Sequence, residues 1–238
     1  MSEDRYHRQK MMDGFDQDRL TRARVLIAGL GGLGSAVSIY LAAAGVGTLI
    51  LVDGDRVEMT NYNRQILHGI QDLGKSKVLS AMESLSAINP EITLIPKDLW
   101  ITPESLAGID CPDVIVDCLD SIRDRLVLNG WAVQKRIPLI SAQVEGLEGR
   151  FMSILPGKTA CLACIYKGEP GSRTPPILGT TAGLLGIMEA QEVLAILAEL
   201  YDPSAGNLHF VDMRSWSMQT VTVNVDPFCT VCSTLRNQ

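Results

Sequence analysis

The chain has 238 residues, of which 46% are hydrophobic and 20% charged, a balance typical of a soluble globular protein with one sizeable core. The net charge of -6 argues against a basic nucleic-acid-binding surface, so we predict no nucleic-acid partner. Residues 1–19 are too highly charged for a secretory signal, so we expect a cytoplasmic protein. Residues 35–52 are uncharged, but Gly45, Gly47 and polar flanks favour a buried helix and strand over a membrane span.

The predicted elements begin with a charged helix over residues 1–20. This segment carries Arg5, Arg8 and Lys10. A basic helix of this kind is usually a solvated surface, and its residues alone assign it no other role.

Residues 24–53 follow as a predicted strand, glycine-rich turn, helix and second strand. Gly29 permits a tight turn, Gly31 lets the backbone approach a phosphate, and Gly34 lets the helix pack closely on the strand. The amino terminus of this helix offers unpaired N–H groups to an anion. The second strand ends at Asp53, where an acidic residue meets a ribose hydroxyl in such units. The unit therefore predicts a nucleotide site.

The next segment is polar and has no helix or strand period. It contains Asn61, Asn63, Arg64 and Gln65, just after the carboxyl end of a strand, where open α/β sheets bind ligands. A helix is predicted between Gly74 and Pro90. Lys75 and Lys77 lie near its amino terminus, where a lysine opposes the helix dipole unless an anion lies nearby. These cations are therefore candidates for binding phosphate.

Strands predicted over 91–100, 111–120 and 137–144, with a helix over 120–136, continue the alternation. This alternation indicates an α/β fold with a Rossmann-like, doubly wound, mainly parallel sheet. Asp120 is expected to cap the helix and could also hold a magnesium ion against a nucleotide phosphate. Cys111 and Cys118 flank the second of these strands and are interpreted as packing residues.

The character changes after residue 145. Residues 148–157 and 206–225 alternate in polarity and are rich in β-branched residues, which predicts antiparallel strands that extend the sheet. A helix over 180–200 is apolar around most of its circumference and is expected to be buried. No linker separates these parts, so we predict a single domain over 1–238, with halves 1–144 and 145–238.

Four of the six cysteines form two CxxC pairs, Cys161 with Cys164 and Cys229 with Cys232. Each pair places two thiolates on one turn, and two pairs complete a tetrahedral zinc site. Four sulfur ligands leave no position for water, so a structural zinc is expected. A redox dithiol and an iron–sulfur cluster are the alternatives.

These motifs together resemble those of the ThiF/MoeB/HesA adenylyltransferases of thiamine and molybdopterin biosynthesis, which are relatives of the ubiquitin-activating enzymes. The resemblance covers nearly the whole chain. It rests on RYHRQ, GLGGLG, LVDGD, NYNRQ, GKSK, DCLDS and both CxxC pairs, in that order.

The resemblance implies a set of site residues. Nucleotide contacts would come from Gly31, Gly32, Gly34, Asp53, Asp55, Asn61, Arg64, Gln65, Lys77, Asp120 and Ser121. Asp53 would bind the ribose, and Arg64 and Lys77 would neutralise the phosphates of ATP. Asp120 would hold Mg²⁺. Arg8 resembles an arginine that family dimers donate into the neighbouring subunit, which implies a homodimer and an active-site role for the N-terminal segment.

The implied reaction is attack by the C-terminal glycine carboxylate of a ubiquitin-like sulfur-carrier protein on the α-phosphate of ATP, with release of pyrophosphate. Residues 145–238 would bind the carrier. Because both reactants are anions, the site needs cations for positioning and charge neutralisation rather than a general base. Arg64, Lys77, Arg8 and magnesium supply them, and Asp120 holds the metal.

Two features depart from the family pattern. Residues 168–179 contain no cysteine, although several relatives carry one in this crossover loop to form a thioester or persulfide, so another sulfur or a small nucleophile would consume the adenylate. Ser121 stands where the family usually has asparagine. Adenylylation of a small-molecule carboxylate, an NAD-dependent oxidoreductase and a non-catalytic carrier-binding subunit are the alternatives, although the oxidoreductase leaves Arg64 and Lys77 unexplained.

Overall fold

The computed structural model describes residues 4–167, 175–201, 203, 205–233 and 235. Its strands are β1 (Arg24–Ala28), β2 (Thr48–Val52), β3 (Thr93–Lys97), β4 (Val114–Asp117), β5 (Leu139–Glu145), β6 (Glu148–Ile154), β7 (Asn207–Asp212) and β8 (Ser217–Thr222). Its helices are α1 (His7–Lys10), α2 (Gln17–Arg22), α3 (Gly32–Ala44), α4 (Lys77–Ile88), α5 (Pro103–Ala107), α6 (Ile122–Lys135), α7 (Leu162–Ile165) and α8 (Gly179–Ala198).

The strands form one sheet in the order β3-β2-β1-β4-β5-β6-β7-β8. Strands β1 to β5 pair in parallel, because helical crossovers return the chain to the same edge, whereas β5 to β8 pair antiparallel. The predicted fold class is therefore confirmed. The chain builds β2 and β3 on one side of β1 and then crosses to add β4 on the other side, which creates the crevice where such sheets bind ligands.

The core lies on both faces of the sheet because successive residues of a strand point to opposite faces. Val25 and Ile27 join a cluster with α3, α4 and α8, whereas Leu26 and Ala28 join one with α5, α6 and α7. Helix α8 is long and apolar enough to cross a membrane, but 56% of its most apolar window is buried inside the fold. It is the buried helix that the sequence predicts.

The prediction of one helix over residues 1–20 is wrong. Helix α1 is separated from α2 by a loop in which Gly14 has a φ of +79°. The Asp16 carboxylate then accepts hydrogen bonds from the N–H groups of Asp18 and Arg19, which starts α2. An N-cap and a left-handed glycine therefore outweigh the helical composition of the segment.

Two further predictions need correction. The N-cap of α6 is Ser121 rather than Asp120, since the Ser121 hydroxyl oxygen accepts from Asp124 N–H at 3.3 Å. Cys118 is buried as expected, but Cys111 is exposed because it precedes the strand. Helices α5 and α7 are too short for hydrophobic periodicity to predict them.

Candidate functional site

The glycine turn between β1 and α3 leaves one side open. A Cβ on Gly29, whose φ is +91°, would lie 2.7 Å from the Cys118 carbonyl oxygen, and a Cβ on Gly34 would overlap the Gly29 carbonyl. At Gly31 the nearest atom to such a Cβ is Gln65 Nε2, at 3.7 Å. Gly31 N–H donates to no acceptor within the described residues, so it is available to an anion.

Asp53 fastens this turn to the end of β2. Its Oδ2 accepts from Leu30 N–H at 2.7 Å and its Oδ1 from Asp55 N–H at 2.8 Å. The buried Lys77 ammonium lies 2.8 Å from Asp55 Oδ2 and 3.9 Å from Asp53 Oδ2. A buried cation therefore lies beside the glycine turn at the start of α4, held by two carboxylates.

The polar loop after β2 packs against the open side of the turn. Arg64 Cγ is 3.5 Å from the position that a Cβ on Gly32 would take. Gln65 is buried, and its Oε1 has no hydrogen-bond partner in the part of the chain that the structure describes. The Nε2 group, which faces Gly31, is the part of this amide that can donate to a ligand at the turn.

Asn61 and Arg64 organise the same loop. Asn61 Oδ1 accepts from Glu58 N–H at 3.0 Å, which closes a short turn. Arg64 Nη1 donates to Thr60 O at 2.8 Å and to Asn63 Oδ1 at 3.0 Å. Its Nε and Nη2 groups contact no acceptor in the described ranges, so this guanidinium can still bind an anion.

The end of β4 reaches the same edge, because Cys118 N–H donates to Ala28 O at 2.9 Å. Asp120, two residues further on, is exposed. Among the residues described, its carboxylate has no hydrogen-bond or ion-pair partner. The structure thus places an unpaired carboxylate after the strand that borders the glycine turn, while Ser121 is engaged as the N-cap.

Arg125 shapes the site but belongs to none of the sequence motifs that predict it. Its buried guanidinium pairs with Asp117 at 2.9 Å and donates to the carbonyl oxygens of Leu119 and Ala142, which fixes the turn before Asp120. The sequence signal was the acidic residue at the end of the apolar β4 segment, because a buried carboxylate requires a partner.

The N-terminal segment lies at the other ends of the parallel strands, away from the glycine turn. Tyr6 covers Gly45 at the end of α3, and Gln9 donates to Ala44 O at 2.8 Å. Helix α3 has 13 residues and is about 20 Å long, with the glycine turn at its other end. The exposed Arg8 is therefore not brought together with the other predicted site residues of its own chain.

The four CxxC cysteines converge as predicted. Cys161 Sγ lies 3.8 Å from Cys229 Sγ, Cys164 Sγ lies 3.5 Å from Cys232 Sγ, and all four sulfur atoms lie within 4.8 Å of one another. All four are buried. Burial raises the pKa of Cys161 to about 11 with the protein groups alone, so a bound metal ion would displace its proton. This donor set fits a tetrahedral metal ion.

The cysteine-free loop predicted over 168–179 is described only in part, since residues 168–174 lie outside the described residues. In its last part, Ile177 forms a parallel bridge with Gly146, between β5 and β6. Gly179 lies so close to the Asn63 carbonyl that a Cβ would overlap it. Helix α8 therefore begins against the polar loop.

Known proteins are similar to this chain over nearly its whole length. A family model described as "ThiF family" matches residues 6–232. The chain is 33% identical over 235 residues to Protein HesA of Leptolyngbya boryana, covering 96% of this chain and 85% of that protein.

Two similar proteins of Escherichia coli carry names that state an activity. The sulfur carrier protein ThiS adenylyltransferase is 34% identical over 96% of this chain and 94% of its own length. The molybdopterin-synthase adenylyltransferase is 34% identical over 96% and 95%, respectively. Among solved structures, E. coli MccB with ATP superposes with a TM-score of 0.88 at 26% identity, covering 98% of this chain and 74% of that one.

Proposed function

The chain belongs to the ThiF family, and from this premise we propose that it adenylylates the C-terminal glycine carboxylate of a ubiquitin-like sulfur-carrier protein with ATP, releasing pyrophosphate. Adenylyltransferases are named among its similar proteins, so the enzyme class follows from the family. The observation that supports ATP as a substrate is the open Gly31 amide, with Gln65 beside it, Arg64 beside Gly32 and the Lys77 cation held by Asp55.

We assign the ribose to Asp53. Its two carboxylate oxygens already accept one backbone N–H each, and each oxygen has a second lone pair for a hydroxyl group. Asp55, through its bond to Lys77, aims this cation at the crevice. Asn61 shapes the loop that presents Arg64 and Gln65 to the phosphates.

The reaction brings a carboxylate to a phosphate, so charge neutralisation and orientation are the tasks of these side chains. Arg64 and Lys77 would lower the repulsion between carrier and nucleotide. The Asp120 carboxylate suits Mg²⁺, which would neutralise phosphate charge when bound. Ser121 keeps Asp120 outside the first turn of α6 by taking the N-cap position itself.

The cysteine cluster suits a structural zinc ion. Its four sulfur ligands would complete a tetrahedral shell and leave no position for a substrate. The ion would join the turn at residues 161–164 to that at 229–232, so residues 1–238 would fold as a single adenylylation domain.

The carrier-binding half is assigned to residues 145–238. A cavity of about 310 Å³ opens on the face of the antiparallel strands, lined by Gln143, Glu148, Arg150, Phe210 and Gln219 among others. Arg150 stacks over Phe210 at 5.8 Å, and the lining as a whole is more polar than apolar. Such a surface suits a folded carrier whose extended C-terminus reaches the crevice.

A homodimer would complete the site. Arg8 lies next to Gln9, which contacts the last residue of α3, so the length of α3 separates it from its own glycine turn. In a symmetric dimer the same residue can serve the partner's crevice.

The test is exchange of labelled pyrophosphate into ATP, with purified protein, magnesium and each ubiquitin-like carrier of the same genome in turn. Exchange with one carrier identifies both the reaction and the pathway. A carrier truncated by its last glycine is the matched control and should give none. Binding of ATP with no exchange for any carrier would favour a small-molecule carboxylate, and absence of ATP binding would leave only a carrier-binding subunit.

A further inference from the structure

His68 lies beneath the glycine turn and is not among the residues assigned to ATP. It is 5% exposed, and both ring nitrogens have partners: Nε2 lies 3.1 Å from Leu30 O and Nδ1 2.8 Å from Ser80 Oγ. A carbonyl oxygen can only accept, so Nε2 carries a proton. In the neutral ring, Nδ1 then accepts from the Ser80 hydroxyl.

The Leu30 carbonyl matters because it shares a peptide group with Gly31 N–H. In a planar trans peptide the C=O and N–H bonds point in opposite directions. The bond from His68 holds the Leu30 carbonyl toward the protein interior, so Gly31 N–H points to the open side of the turn. The preceding peptide is held as well, since Leu30 N–H donates to Asp53.

We propose that His68 is a positioning residue for the nucleotide phosphates, which fixes Gly31 N–H in the direction in which it donates to a phosphate oxygen. This inference rests on the proposed ATP-dependent function. His68 acts through the Leu30 peptide and touches no reacting group itself.

The surroundings of His68 keep its ring neutral and its position fixed. Burial lowers the pKa of His68, and the Lys77 charge acts in the same direction. The bond to the Leu30 carbonyl and the Asp53 and Asp72 carboxylates act in the opposite direction without outweighing burial. The adjacent Leu67 is anchored by Ser84 Oγ, which donates to Leu67 O at 2.8 Å. His68 thereby links three segments: the glycine turn, the polar loop and α4.

The experiment compares two conservative variants, because the amide nitrogen of glutamine reaches the position of Nε2 and that of asparagine the position of Nδ1. Affinities for ATP and for adenosine are measured by calorimetry. His68→Asn should weaken ATP binding about tenfold and leave adenosine binding unchanged, whereas His68→Gln should stay within about threefold for both. Ser80→Ala keeps the bond to Leu30 and should bind ATP as the wild type does.

Three results would overturn the inference without overturning the proposed function. Equal ATP affinity of His68→Asn and the wild type would remove the positioning role, and equal losses for ATP and adenosine would indicate general damage to the fold. A His68 Nδ1–H tautomer in ¹⁵N spectra of the wild type would contradict it even if a variant failed to fold. Wild-type protein that binds neither ligand would instead overturn the proposed function, and this inference with it.

Discussion

The two ends of the sheet are held together by different physical means. At the end that carries the proposed nucleotide site, here called the nucleotide end, β1, β2 and β4 are almost wholly buried. The polar side chains of Asp53, His68 and Arg125 fix the turns that follow. At the other end, β8 is exposed along its whole length, and four cysteines hold the last described turns. Hydrogen bonds orient groups at the first end, whereas thiolates would tether the chain at the second, so each end can be perturbed separately.

Asp120→Ala tests the nucleotide end alone and should have the largest effect. The carboxylate is exposed, so its loss leaves no buried group unpaired, and we expect the melting temperature to stay within about 2 °C of the wild type. Pyrophosphate exchange should fall about 100- to 1000-fold. Asp13→Ala, on the exposed loop after α1, is the control. Unchanged exchange would remove Asp120 from the site.

Arg8→Ala tests whether Arg8 of one chain contributes to the nucleotide site of a second chain. A dimer of two Arg8→Ala chains should exchange pyrophosphate about 100-fold more slowly, since a cation would be missing from a site that binds anions. When equal amounts of Arg8→Ala and Asp120→Ala chains are mixed and re-equilibrated, half of the dimers should contain one chain of each kind. Each mixed dimer has one intact site out of two, so about one quarter of wild-type activity should return. If Arg8 acted within its own chain, mixing would restore nothing.

Cys229→Ser tests the tethered end. Loss of one sulfur ligand should reduce the zinc content per chain in elemental analysis and lower the melting temperature by about 5–10 °C. ATP affinity below the transition should change by less than about threefold, because the nucleotide end keeps its own hydrogen bonds. The exposed Cys111→Ser is the matched control. A variant that retained its zinc and its melting temperature would contradict the metal assignment.

Glu189→Gln tests α8, which packs between the two regions. Glu189 Oε2 lies 3.6 Å from Cys118 Sγ, and burial, assisted by Asp117, raises the pKa of Glu189 well above its usual range. The folded state thus keeps a proton that the unfolded state loses above about pH 4.5, so this group reduces stability as pH rises.

The amide cannot ionise in either state, so Glu189→Gln should remove this loss. We expect a melting temperature about 2–4 °C above the wild type at pH 8 and little difference at pH 4.5. Thermal unfolding of both proteins across this pH range measures it. A shift of equal size at every pH would show that packing, not ionisation, sets the difference.

The local patterns predicted the strand–turn–helix unit at Gly29 to Gly34 because glycine spacing and strand apolarity are properties of neighbouring residues. They did not predict Arg125 or His68, whose partners are distant in sequence or are backbone atoms. They placed the N-cap of α6 one residue early, since Asp and Ser are both good caps and only backbone geometry distinguishes them.

The sequence by itself determined the alternation of strands and longer helices after residue 24, the two pairs of cysteines and the family, because periodicity and motif spacing are local. Only the tertiary structure decided that Gln65 Nε2 faces Gly31 while its Oε1 is buried with no partner among the described residues, and that Arg8 lies beyond the far end of α3 from the glycine turn. Each of these is a distance between segments remote in the chain, and such distances are set by how the buried faces of strands and helices pack together.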